Sequence, residues 1–142
     1  MKITNRRGLH DYHILESIEA GVELTGPEVK SIKEGRMELG GSFARIIQGQ
    51  LFLVNAHIPA YQNAENKDYT PTRSRRLLLH RSEIDKLAGR VSGKGMALIP
   101  VSVYLKNNLI KVQLGVGKSK KEFDRRKVIK ERDHLRRIQQ EL

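Results

Sequence analysis

Residues 98–116 read LIPVSVYLKNNLIKVQLGV, and this stretch decides the fold class. Leu98–Leu105 and Leu109–Val116 are two long strand-forming runs, with Lys106-Asn107-Asn108 between them as the turn. In the second run Ile110, Val112, Leu114 and Val116 alternate with Leu109, Lys111, Gln113 and Gly115. Successive strand side chains point to opposite faces, so one face is apolar and the other meets water.

Working outward, Phe43–Ile47 and Leu51–Val54 flank Gln48-Gly49, which fits a hairpin turn. Tyr12–Leu15 and Val22–Leu24 are short strand candidates on either side of a Glu19-Ala20-Gly21 turn. Two helices interrupt the strands. Thr25-Gly26-Pro27-Glu28 has the capping-box pattern, and its helix presents Val29 and Ile32 before stopping at Gly35. Ser82 caps the second helix, where Ile84, Leu87, Ala88 and Val91 make one apolar stripe before Gly93. Pro59–Thr72 is polar and turn-rich, a long surface loop that orders against a partner. Strands that do not alternate with helices exclude βαβ units. They predict a mainly β fold, a small, partly open antiparallel barrel of OB-like type with two or three short helices.

The 142 residues suit one body with an extension. Without cysteine, disulfides and thiolate metal sites are excluded, and no apolar run is long enough to span a bilayer. The N-terminus has no apolar stretch of the kind a signal peptide carries, so the expected location is cytoplasmic. Lys and Arg number 27 against 16 Asp and Glu, a net charge of +11, which draws in polyanions. Residues 73–94 and 118–142 each carry a net +5, and the remainder of the chain only +1. So uneven a distribution reads as a nucleic-acid footprint. Thr72-Arg73-Ser74-Arg75-Arg76 is its densest patch in the body, and Arg73, Arg75 and Arg76 are the expected contacts.

The body therefore spans residues 1–116, and 117–142 form a basic tail. From Lys118 onward there is no Gly or Pro, and Val128, Leu135, Ile138 and Leu142 fall on one narrow stripe at helical spacing. That stripe is too thin for a core, so the tail is expected to be disordered alone and helical once phosphates neutralise it. A solvated helix docked on the barrel is the other reading.

Catalytic patterns are sparse. His10-Asp11-Tyr12-His13 invites a metal or acid–base reading, but on a strand His10 would point away from Asp11 and His13. Gly115-Val116-Gly117-Lys118-Ser119 lacks the spacing of a phosphate-binding loop. No catalytic residue, metal or cofactor is expected. Aromatic residues are only 5% of the chain, which disfavours reading single-stranded bases by stacking and favours recognition of folded RNA by shape, phosphate and 2′-hydroxyl.

Blocks of the sequence resemble the SsrA-binding proteins, the small protein B family. They are Asn5-Arg6-Arg7, His10-Asp11-Tyr12, Glu19-Ala20-Gly21, 24–31 (LTGPEVKS), 52–58 (FLVNAHI), 71–80 (PTRSRRLLLH), 83–87 (EIDKL), 104–107 (YLKN), 111–115 (KVQLG), 118–126 (KSKKEFDRR) and 129–132 (IKER). The resemblance covers roughly residues 5–132 in order. It implies an OB-fold body that binds the tRNA-like domain of transfer-messenger RNA and brings it, aminoacylated, to stalled bacterial ribosomes, with elongation factor Tu as a further partner and the protein a monomer. The tail would occupy the empty mRNA channel. By the same resemblance Asn5, His10, Glu19, Lys30, Leu78 and Lys111 lie at the RNA surface. Lys118, Lys120, Lys121, Asp124, Arg125 and Arg126 belong to the decoding-centre segment. Gly8-Leu9, Pro27, Phe123 and the short Gln139-Gln140-Glu141-Leu142 end depart from the family pattern. Two other functions stay open on the residues alone: an OB-fold translation factor on the small ribosomal subunit, and an RNA-processing enzyme using His10 and His13.

Overall fold

The computed structural model describes residues 1–62 and 68–121. Its elements run β1 (Lys2–Thr4), α1 (Arg6–Asp11), β2 (Tyr12–Val22), α2 (Gly26–Lys33), β3 (Phe43–Ile47), β4 (Gln50–Val54), β5 (Arg75–Leu78), α3 (Arg81–Arg90), β6 (Met96–Lys106) and β7 (Leu109–Ser119). All pairings are antiparallel. Around the barrel the order is β6-β3-β4-β5-β2-β7, and β7 pairs back onto β6, so the ring closes, with β1 added along β6. The predicted mainly β, OB-like antiparallel barrel forms, closed rather than partly open. Two seams are thin: Ala44 opposite Leu98 is the one register pair joining β3 to β6, and Gly21–Leu78 and Val22–Leu77 join β2 to β5.

The β6–β7 hairpin is the long pairing of the fold, as residues 98–116 require. Asn107 and Asn108 turn it at φ 51° and 62°, the left-handed values a two-residue turn of this twist needs and Asn tolerates. Gln48 and Gly49, at φ 50° and 75°, do the same between β3 and β4. The strand extends past Val116 to Ser119, so Gly117 and Lys118 belong to the sheet.

Three local expectations need correction. Glu19-Ala20-Gly21 is no turn: these residues pair in register with Gln113, Val112 and Lys111 inside one strand of 11 residues. Ile18, Ala20 and Val22 supply the inward alternation, and cross-strand partners override the turn preference of Gly21. Ser82 is not the cap of α3; His80 is, and Glu83 accepts from the His80 backbone N–H at 3.3 Å. β1, α1 and β5 are elements where no regular structure was expected, and β5 runs through the basic patch.

The α2 start follows the sequence. Thr25 Oγ1 accepts from the Glu28 N–H at 3.4 Å and Glu28 Oε1 from the Thr25 N–H at 3.0 Å, with Pro27 in the first turn. Ile32 of α2 and Ile84 and Leu87 of α3 enter the same core as Leu51, Leu53, Leu77, Val103, Val112 and Leu114 of the barrel. Ala88, within the expected α3 stripe, stays exposed. No helix among the described residues is long and apolar enough to cross a membrane.

Candidate RNA-binding surface

β7, β2 and β5 run side by side, with Lys111 opposite Gly21 and Gly21 opposite Leu78. Gly21 carries no side chain, so Lys111 and Leu78 flank a gap; a Cβ there would lie 3.3 Å from the Leu78 Cβ. Glu19, two residues back on the same face, completes an open cleft with Leu79, His80 and Glu83. Leu78 is 44% exposed, a large apolar side chain left in water on this face. Three of the predicted RNA contacts thus come together from three separate strands.

The Glu19 carboxylate is held from β6. The Tyr104 hydroxyl donates to Oε2, and Lys106 Nζ lies 3.3 Å from Oε1. The Tyr104 hydrogen bond, then Lys106 and Lys111, keep the Glu19 carboxyl below its ordinary range. Burial and the adjacent Glu19 push the Tyr104 phenol up to about 12. Glu19 is therefore ionised and fixed in direction throughout neutral pH. On the same outer face Ser102 Oγ donates to Gln113 Oε1 at 3.2 Å, and Gln113 Nε2 donates to Ser17 Oγ at 3.1 Å. A fixed carboxylate accepts from base amines or ribose hydroxyls, Lys111 can meet a phosphate, and Leu78 offers apolar surface to a base or sugar.

Two predicted contacts are interior residues. Asn5 is 2% exposed: its Oδ1 accepts from the Gly8 N–H at 2.9 Å as the cap of α1, and its Nδ2 donates to the Pro100 carbonyl at 2.8 Å. Arg75 is fully buried. Its Nε donates to Glu28 Oε2 at 2.8 Å, Nη1 to the Ala56 carbonyl at 2.7 Å, and Nη2 to the Pro71 carbonyl at 2.8 Å. Burial raises the Glu28 acid, but hydrogen bonds from Arg73, the Thr25 N–H and Arg75 reverse this and hold it at about 2. Tyr69 joins the cluster, its hydroxyl donating to Glu28 Oε2 at 3.0 Å. That contact ties the described end of the 59–72 loop to α2 without any partner. The expectation that Arg75 touches RNA fails because a carboxylate inside the fold consumes its charge, and Arg73 is drawn to the same carboxylate.

Much of the basic charge of residues 73–94 is thus partnered within the fold. Arg73 and Arg75 serve Glu28, Arg81 lies 3.5 Å from Asp85, and Arg90 lies 3.1 Å from Glu16 on β2. Arg76 remains exposed on the outer face of β5.

The other predicted residues occupy separate places. Lys30 is exposed on α2 with its Nζ 5.4 Å from the centre of the Tyr61 ring. His10 lies in the last turn of α1 with Nδ1 3.0 Å from Asp11 Oδ1. Tyr12 pairs with Ser119, and the charge of Lys121 helps lower the Asp11 carboxyl behind the larger effect of His10. His10 thus stands with Lys118, Lys120 and Lys121 at the root of the tail, not with Glu19. Asp124, Arg125, Arg126 and the residues expected to form a tail helix lie outside the described residues. The described residues contain no group of three His, Asp or Glu side chains arranged to hold a metal.

Sequence reasoning missed Tyr104, Lys106 and Gly21 at this face. A glycine within an alternating strand was the available signal for a close approach; Tyr104 and Lys106 reach Glu19 only through the β6–β7–β2 register, which no local pattern encodes.

The family model described as SmpB protein matches residues 2–142. An SsrA-binding protein of Rubrobacter xylanophilus is 47% identical over 135 residues, 95% of this chain and 90% of that protein. One of Caldicellulosiruptor saccharolyticus is 52% identical over 130 residues, 92% and 82% of the two chains. Among solved structures, a chain described under "tmRNA-SmpB: a journey to the center of the bacterial ribosome" superposes with a TM-score of 0.71 at 42% identity, covering 84% of each chain.

Proposed function

This chain belongs to the SmpB protein family, the SsrA-binding proteins, and from that membership we infer that it binds the tRNA-like domain of transfer-messenger RNA and delivers that RNA to stalled ribosomes for trans-translation. Its partners are transfer-messenger RNA and the bacterial ribosome. Elongation factor Tu would accompany the aminoacylated RNA, and the place of action would be the cytoplasm. The family is one of RNA-binding proteins, and the role inferred for this chain is binding and delivery with no catalytic residue of its own.

The observation that carries the residue-level reading is the Lys111–Gly21–Leu78 row with Glu19 beside it. Glu19 would orient the RNA by accepting hydrogen bonds, Lys111 would neutralise a phosphate, and Leu78 would pack on a nucleoside. Lys30 and Arg76 would extend the cationic rim. The division into a body that gives RNA identity and a tail that acts in the ribosome assigns Lys118, Lys120 and Lys121, at the tail root, to the ribosomal side, along with Asp124, Arg125 and Arg126, and keeps His10, next to that root, with the RNA-binding body.

The test is filter binding of the full-length protein to transfer-messenger RNA and to ordinary tRNA at matched salt. Preferential binding of transfer-messenger RNA, weakened by Lys111→Ala and Glu19→Gln, is expected. Equal affinity for the two RNAs would sink the reading and favour a general translation factor.

A further inference from the structure

Of the nine arginines among the described residues, six face a carboxylate: Arg7, Arg36, Arg73, Arg75, Arg81 and Arg90. Arg6, Arg45 and Arg76 do not, and the register puts Arg45 and Arg76 directly across from the same aromatic residue. Arg45 on β3 pairs with Phe52 on β4, and Phe52 pairs with Arg76 on β5. Leu51 and Leu53, on either side of Phe52, are fully buried in the barrel, so the half-buried Phe52 lies on the outer face between two exposed guanidinium side chains. Neighbouring strands are about 4.8 Å apart, which sets the three side chains in one row roughly 10 Å long.

We propose that the Arg45–Phe52–Arg76 row is a binding site for an unpaired nucleotide of the bound RNA, with the base on the Phe52 ring and the flanking phosphates on Arg45 and Arg76. An aromatic face between cations is the chemistry that holds an unstacked base and its backbone. An apolar protein partner would not need two uncompensated guanidinium groups. The row also continues the surface already described: Arg76 and Leu78 point outward from the same strand, two residues apart, and Leu78 borders the cleft with Glu19 and Lys111. The inference rests on that surface being the RNA side of the protein. It adds a base-stacking contact on β4, in a chain whose low aromatic content gave no reason to expect one.

The experiment is anisotropy titration of the full-length protein with the tRNA-like domain of transfer-messenger RNA over a salt series, with 4-thiouridine crosslinking of the same RNA. Phe52→Leu keeps apolar bulk and is expected to weaken binding about tenfold at every salt concentration and to remove the crosslink at residue 52. Arg45→Gln with Arg76→Gln is expected to flatten the salt dependence by an exponent of about 1.5. Circular dichroism melts establish that each variant is folded, and Phe52→Tyr, which restores a ring, should restore the affinity. Wild-type affinity and salt slope in both variants, with Lys111→Ala still weakened, would overturn the site while leaving the function above intact. Loss of tagging at unchanged RNA affinity would assign the row to a protein partner and also overturn it. An unaffected Lys111→Ala, by contrast, would mean that the RNA side itself is misplaced.

Discussion

Arg75 donates to Glu28 through Nε at 2.8 Å, and neither side chain keeps more than 1% of its surface in water. Two full charges are thus removed from solvent: Arg75 also donates to the Ala56 and Pro71 carbonyls, and Glu28 also accepts from the Thr25 N–H, Arg73 and the Tyr69 hydroxyl. The pair joins β5 to α2, and with Tyr69 it fastens the 59–72 connection to both. Removing one partner strands a buried charge. Arg75→Met and Glu28→Gln should each lower unfolding free energy by about 3–5 kcal/mol in urea titration. A loss under about 1 kcal/mol in both would show that water reaches the site.

The same carboxylate sets an acid limit. Glu28 titrates at about 2 in the folded chain against 4.5 ordinarily, so the folded state binds its proton less readily than the unfolded one. Its contribution is complete above pH 4.5 and disappears as pH falls toward 2. The difference corresponds to roughly 3 kcal/mol. Urea midpoints measured from pH 6 to 2 should fall more steeply for the native chain than for Glu28→Gln. Parallel curves would remove Glu28 as the cause.

Tyr104 and Glu19 form a second coupled pair, on the surface. Absorbance titration of the tyrosines should show one phenol ionising near pH 12, and Glu19→Gln should bring that step down, because it removes the negative charge beside the phenol. The Tyr104→Phe variant should bind transfer-messenger RNA more weakly while melting within a few degrees of the native chain. If RNA binding is untouched, holding Glu19 in direction is irrelevant to recognition.

Asn5 is expected to report on stability rather than on RNA. Asn5→Ala removes the α1 cap and the tie to Pro100, costing about 1–3 kcal/mol. Gly8→Ala should be similarly harmful, since its Cβ would lie 2.5 Å from the Asn5 amide. RNA affinity at 4 °C, where both variants remain folded, should match the native value; a direct contact at Asn5 would show as a loss there.

Truncation has to respect the sheet. Lys118 and Ser119 pair with His13 and Tyr12 in β7, so removing residues 118–142 also cuts a strand. Removal of 122–142 alone should preserve the thermal midpoint and RNA affinity and abolish tagging on stalled ribosomes. Equal losses in binding and tagging would contradict the division of labour.

What the sequence determined by itself were the features carried by short-range chemistry. The alternation over residues 109–116, the Asn107-Asn108 and Gln48-Gly49 turns and the Thr25–Glu28 capping box involve neighbours a few residues apart, and each forms where its pattern stands. The family blocks were equally legible, being stretches of contiguous residues. Tertiary structure alone decided ring closure and the fate of each charge. Arg73, Arg75 and Arg76 are chemically alike in one run, yet strand alternation turns Arg75 inward onto a carboxylate 47 residues away and leaves Arg76 outside opposite Phe52. Net charge is a sum over residues, whereas the field an RNA meets depends on which charges find partners, and that is fixed only when distant strands come into register.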